Sequence, residues 1–123
     1  MSQVELKLKS GLPLCKKVIL EEARVWLNRR DLSKAVVEIE VISKKRIKSL
    51  NKKFLGRDLA TDVLSFPVGR IPGENQDELL LGTVFVCYDI IETQAKRAGV
   101  TTQAEVINLI RHGIDHLVGI HHK

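Results

Sequence analysis

The sequence predicts a single α+β domain over residues 1–123, a mixed four-stranded sheet with helices in the order β-α-β-α-β-β-α-α. Two observations predict it. Segments that alternate apolar and polar residues are interleaved with segments whose apolar residues recur every three to four positions. At 123 residues, with 44% hydrophobic and 28% charged, the chain can bury one real core.

Each element has its own signal. Val4, Leu6 and Leu8 share one face of a strand over 4–9. Gly11 and Pro13 open a helix to about Arg30, with Cys15, Ile19, Ala23 and Trp26 as its apolar stripe and Val18 and Val25 beside it. Val37, Ile39 and Val41 alternate in a second strand over 35–42. Ser43 caps a helix over 44–55 with Ile47, Leu50 and Phe54 inward, and Gly56 ends it. The apolar stretch 62–68, closed by Pro67, reads as a third strand, and 69–78, with two glycines and Pro72, as a loop. Residues 79–86 are nearly all apolar, as in a strand buried on both faces. A helix from Asp89 to about Ala98 stops at Gly99, and Thr101 or Thr102 caps a last helix that ends at Gly119.

Composition excludes the secreted, fibrous, membrane and disordered classes. No apolar run approaches the roughly 20 residues of a membrane helix, and the opening MSQVELKLKS lacks the apolar core of a signal peptide. Two cysteines, Cys15 and Cys87, are too few for a disulfide scaffold and both sit in apolar surroundings, so buried thiols in a reducing cytoplasm are expected. The net charge of +5 is uneven. Residues 1–58 hold 15 Lys/Arg against 7 Asp/Glu, a net of +8, and residues 59–123 hold 5 against 8, a net of −3. Such asymmetry suits a polyanion partner, and equally a well-solvated face.

All four histidines fall in the last twelve residues: His112, His116, His121 and His122. On a helix His112 and His116 lie one turn apart on one face, at the rim of the apolar stripe of Val106, Ile110, Gly113, Ile114 and Leu117. Gly119 can turn the chain back so that a later residue, His122 for instance, approaches them. Three neutral imidazoles fill three positions of a tetrahedral zinc and leave the fourth to water, whose pKa falls toward about 7. The catalytic group is then the metal-bound water, with no side chain assigned. Position 113 is Gly, so the glutamate base of an H-E-x-x-H protease is missing. Asp115 projects away from the pair and reads as a solvent or cap residue.

Lys45, Lys48 and Lys52 line one outward helical face, and with Lys44, Arg46, Lys53 and Arg57 they place seven cations within 44–57. Beside a hydrolytic metal site this ridge reads as a phosphate grip with salt-dependent affinity for RNA. Trp26, Phe54, Phe66 and Phe85 all fall in core patterns, so no platform for stacking bases is evident. Asp62 and Ser65 either line the cleft or cap and pack.

Two long motifs resemble the YbeY family of metal-dependent rRNA maturation endoribonucleases. L-N-K-K-F-L-G-R-D-L-A-T-D-V-L-S-F-P, residues 50–67, is close to the family's N-x-x-Y-R-G-K-D-x-P-T-D-V-L-S-F-P. H-G-I-D-H-L-V-G-I-H-H, residues 112–122, matches H-G-x-L-H-L-x-G-x-D-H, and Leu81-Gly82-Thr83-Val84 is similar to the family's L-G-D-I. The resemblance implies an α+β fold with its metal site on the C-terminal helix, one Zn2+ per chain held by His112, His116 and His122. It implies cleavage of single-stranded RNA in rRNA maturation and ribosome quality control, with the small ribosomal subunit or its proteins as partners and no membrane. The departures are Leu55 for the family's phosphate-contacting arginine, Arg57 for lysine, Ala60 for proline, Thr83 for aspartate, Asp115 for leucine and His121 for aspartate. Arg57 stands two residues from the lost arginine, and a planar guanidinium is not freely relocated. An alternative is therefore a non-catalytic RNA- or ribosome-binding member with a structural metal.

Overall fold

A computed structural model describes residues 3–68 and 79–119. It contains β1 (Val4–Lys7), α1 (Lys16–Arg29), β2 (Ala35–Ile42), α2 (Lys44–Leu55), β3 (Val63–Pro67), β4 (Leu79–Cys87), α3 (Tyr88–Ala98) and α4 (Thr102–Leu117). The predicted element order and mixed four-stranded sheet are both found. The expected loop over 69–78 and the third and fourth histidines lie outside the described residues.

The sheet runs β1-β2-β4-β3. β1 pairs with β2 and β2 with β4 in parallel, whereas β3 runs antiparallel to β4 and forms one edge. Alternation decides which helix covers which face. On one face Val37, Ile39, Val84 and Val86 join Ile19, Leu27, Ile110 and Ile114 of α1 and α4 in the main core. On the other, Leu64 and Cys87 pack beneath Ile47 of α2, with Leu50, Phe66 and Phe85 around them. β4 is thus covered on both sides, as its unbroken apolar run predicts. The register slips between Val36 and Val37, which pair with Leu80 and Gly82. Gly82 has φ +142°, and a Cβ there would lie 2.2 Å from the Phe66 carbonyl oxygen, so the bulge requires glycine.

Caps fall where the sequence places them: the Ser43 hydroxyl accepts from Arg46 N–H at 3.2 Å and Thr101 Oγ1 from Ala104 N–H at 3.0 Å. Val18 and Val25, expected beside the α1 stripe, are exposed, and Leu27 is buried with Ile19 and Ala23 instead; three further side chains differ from expectation. Cys15 is exposed, because α1 begins only at Lys16, while Cys87 is buried and burial pushes its thiol pKa up. Phe54, expected in the core, is 58% exposed. It sits in the last turn of α2 against the edge strand, where its ring meets Phe66 edge-to-face at 5.5 Å. Asn51 rather than Phe54 shares the buried face with Ile47.

Asp115 is the third, fully buried rather than solvated. α1 supplies its partners. Arg30 Nε–H and Nη2–H donate to its two carboxylate oxygens at 2.9 Å each, and Trp26 Nε1–H donates to Oδ1 at 2.9 Å. The Arg30 guanidinium also stacks 4.3 Å from the Trp26 ring centre, and hydrogen bonding to Asp115 holds its pKa above the ordinary value. Arg111 pairs with Glu22 along the same helix seam. At the opposite end Gln103 of α4 holds both the N–H and the carbonyl of Cys15. Charge and polar contacts therefore clamp α1 to α4 at both ends of an apolar seam.

The clamp is unequal in its two halves. Removing Arg30 takes the cationic partner from a carboxylate with no exposed surface, whereas removing Asp115 leaves an arginine whose side chain is 29% exposed and can turn to water. Arg30→Ala is expected to lower the melting temperature more than Asp115→Leu in thermal unfolding followed by circular dichroism. The reverse order would show that the carboxylate is not the costly partner.

Candidate metal centre and nucleic-acid interface

The two described histidines stand on α4 on either side of Gly113, where the helix lies close against the sheet. Gly113 makes the approach: a Cβ there would lie 2.5 Å from Val84 Cγ1 and 3.2 Å from Ser65 Oγ. The Ser65 hydroxyl donates to the Gly113 carbonyl at 3.3 Å, tying β3 to α4 one residue from His112. His112 is half-buried and His116 exposed, one helical turn apart. Asp115, between them in sequence, turns toward α1 and Arg30 instead. Asp62 accepts from Cys87 N–H through its backbone carbonyl at 2.8 Å, which closes the antiparallel ladder. Of the two uncertain residues, Ser65 reaches α4, and Asp62 serves the strand through its backbone.

Two imidazoles one turn apart suit a borderline ion such as zinc, which takes nitrogen donors in tetrahedral geometry. Among the described residues no group of three His, Cys, Asp or Glu side chains is assembled. His122, expected as the third ligand, lies outside them, as does His121. Cys87 is buried in the α2-side cluster, on the sheet face opposite Ser65 and Gly113, so it does not belong to this donor set.

The basic ridge has a different address. Lys45, Lys48 and Lys52 are exposed on α2, which covers the face of the sheet opposite α4. Lys48 approaches Asp58 at 3.9 Å, and Arg46 pairs with Glu40 at 3.0 Å, so the ridge is partly neutralised. Arg57 and Leu55 are both exposed, Leu55 at 51%. The edge strand β3 touches both helices. Its alternation sends Ser65 toward α4 and Leu64 and Phe66 toward α2.

Asn51 and Asp115 are the residues that sequence reasoning undervalues. Asn51 is 1% exposed; its side-chain Nδ2–H donates to the Leu59 carbonyl at 3.0 Å, and its backbone carbonyl accepts from Arg57 N–H at 3.3 Å. It fixes the segment that carries Arg57 to the end of α2. Its signal was an amide in register with Ile47, on the face expected to be apolar.

The chain matches the family described as Endoribonuclease YbeY over residues 7–123. The Endoribonuclease YbeY of Myxococcus xanthus is 35% identical over 101 residues, covering 82% of this chain and 34% of its own length. That of a Sulfurihydrogenibium species is 34% identical over 110 residues, 89% of this chain and 71% of its own. That of Wigglesworthia glossinidia brevipalpis is 32% identical over 120 residues, 98% and 76%. A solution structure from Thermotoga maritima superposes with a TM-score of 0.61 at 28% identity, over 98% of this chain and 75% of that one. The chain spans between about a third and two thirds of the length of the first two curated relatives, the other being from a Thermotoga species. A matched span of nearly the whole sequence, with the shared fold, leads to one conclusion: the chain belongs to the Endoribonuclease YbeY family.

Proposed function

We propose that the chain is a zinc-dependent endoribonuclease that cleaves single-stranded RNA, acting in the cytoplasm in rRNA maturation and ribosome quality control with the small ribosomal subunit or its proteins. The observation that carries this reading is the pair His112 and His116, drawn against the sheet by Gly113, with a cationic helix across the shared edge strand. Family membership supports the RNA substrate, since the curated relatives are named endoribonucleases. Among the described residues no helix is long and apolar enough to cross a membrane.

In this reading His112, His116 and His122 hold one zinc ion. Such an ion supplies a hydroxide-strength nucleophile near neutral pH and charge stabilisation at phosphorus. The chain's own residues do the rest. The Ser65–Gly113 contact fixes the height of α4 above β3, so the imidazoles keep their place as RNA enters. Lys45, Lys48, Lys52 and Arg57 hold phosphates of the strand on the α2 side. Asn51 keeps the Arg57 segment from drifting. No side chain is assigned as general base.

Leu55 favours the second reading, a non-catalytic RNA- or ribosome-binding protein with a structural metal, because an exposed leucine replaces the cation expected there. Cleavage of single-stranded RNA by the purified chain, with and without chelator, separates the two. Chelator and His116→Ala are each expected to slow cleavage by at least about 100-fold. Cleavage that survives both unchanged would exclude the metal-dependent mechanism, and its absence in the untreated protein would favour the binding role.

The ridge has an independent test in salt. Each phosphate contact to a single strand contributes about 0.7 to the slope of log K against log salt concentration. The double variant Lys45→Ala/Lys52→Ala is expected to flatten that slope by about 1.4 and weaken all sequences alike. An unchanged slope would remove these lysines from the interface.

A further inference from the structure

The sequence places Phe54 in the core; the fold leaves it 58% exposed at the end of the cationic helix. Edge-to-face contacts back the ring. Phe66 lies 5.5 Å away at 63°, and Phe66 in turn meets Phe85 at 5.7 Å and 75°. Phe66 and Phe85 are diagonal neighbours on β3 and β4, where Leu64 faces Phe85 and Phe66 faces Thr83. Phe54 therefore stands on a rigid aromatic support that holds the ring in place while much of its surface faces water. Leu55, Leu59 and Val68, also exposed, extend the apolar character on the same helix end, the following loop and the end of β3.

The surroundings say what kind of ligand fits. Lys53 Nζ lies 5.4 Å from the Phe54 ring centre, and Arg57 follows just past the helix end. Cores of protein–protein interfaces are depleted in lysine, so an apolar ring set among cations is a poor match to a protein partner. It is a good match to a nucleotide, which joins a flat π surface to an anionic phosphate. We propose that Phe54 is a stacking platform for a base of single-stranded RNA, with Lys53 and Arg57 holding the adjoining phosphates. The inference builds on the RNA-cleaving reading and adds a contact to bases where sequence pattern offered contacts to the backbone alone. Because every base has a π face, the platform recognises an unpaired base rather than a particular one, and a duplex, whose bases are stacked on each other, cannot use it.

The test compares a fluorescein-labelled single-stranded RNA decamer with an abasic strand of the same length. Binding to the full chain is read by anisotropy at low temperature before cleavage accumulates, and cleavage is then measured on warming. The wild type is expected to prefer the base-bearing strand by about 5- to 150-fold, the range of one stacked base. Phe54→Leu, apolar and surface-exposed, is expected to bring that preference close to one while leaving affinity for the abasic strand and its salt slope unchanged. Phe54→Trp should keep or raise the preference. A preference that Phe54→Leu does not alter overturns the stacking site, as does a wild type that binds both strands equally. Phe54-dependent preference without cleavage supports the site and sets aside only the nuclease reading. Cleavage with Phe54-independent preference overturns the site alone. Loss in Phe54→Leu of binding to a ribosomal protein, with base preference unaltered, assigns the patch to a protein and also overturns it.

Discussion

The proposed metal centre depends on how closely α4 lies on the sheet. Gly113 permits that approach, because a side chain there would collide with Val84 at 2.5 Å and crowd Ser65. Overpacking a filled core costs about 1–3 kcal/mol, and the alternative is for the helix to lift. A lifted helix carries both histidines with it. The contact thus links packing to chemistry: a missing methyl group in the core sets where two imidazoles stand at the surface.

The clamp between α1 and α4 fixes the same helix from its other side. Asp115 faces Arg30 and Trp26, Arg111 faces Glu22, and Gln103 holds Cys15. A buried ion pair is weak evidence for stability, since well-packed apolar residues often do as well. Its contribution here is directional. Two hydrogen bonds to one guanidinium and one to an indole fix the rotation of α4 about its axis more tightly than apolar contact would. Rotation of α4 about its axis decides which way His112 and His116 point. Asp115, where the family resemblance expects leucine, thus exchanges apolar packing for orientation.

Much of the fold was legible in the sequence because period and caps act locally. Alternation over 35–42, the Ser43 and Thr101 caps and the stops at Gly56 and Gly99 all appear where local patterns put them. What was not legible depends on partners distant along the chain. Asp115 meets a guanidinium 85 residues away, and no local pattern can separate that from a solvated aspartate. Phe54 has core spacing, but it lies against an edge strand, and strand order is a property of the whole sheet. Proximity in sequence also misled: the lysine ridge precedes the T-D-V-L-S-F-P strand directly, yet it lies across the sheet from the histidines. β3 reconciles the two, because a strand with two faces can serve both at once.

The central claim is that α4 presents a zinc site, and zinc titration of the full chain by calorimetry tests it most directly. The account predicts one tightly bound zinc per chain, with binding lost in His112→Ala, His116→Ala and His122→Ala while the circular dichroism of each variant stays that of the wild type. A stoichiometry well below one, or wild-type affinity in His116→Ala, would contradict it.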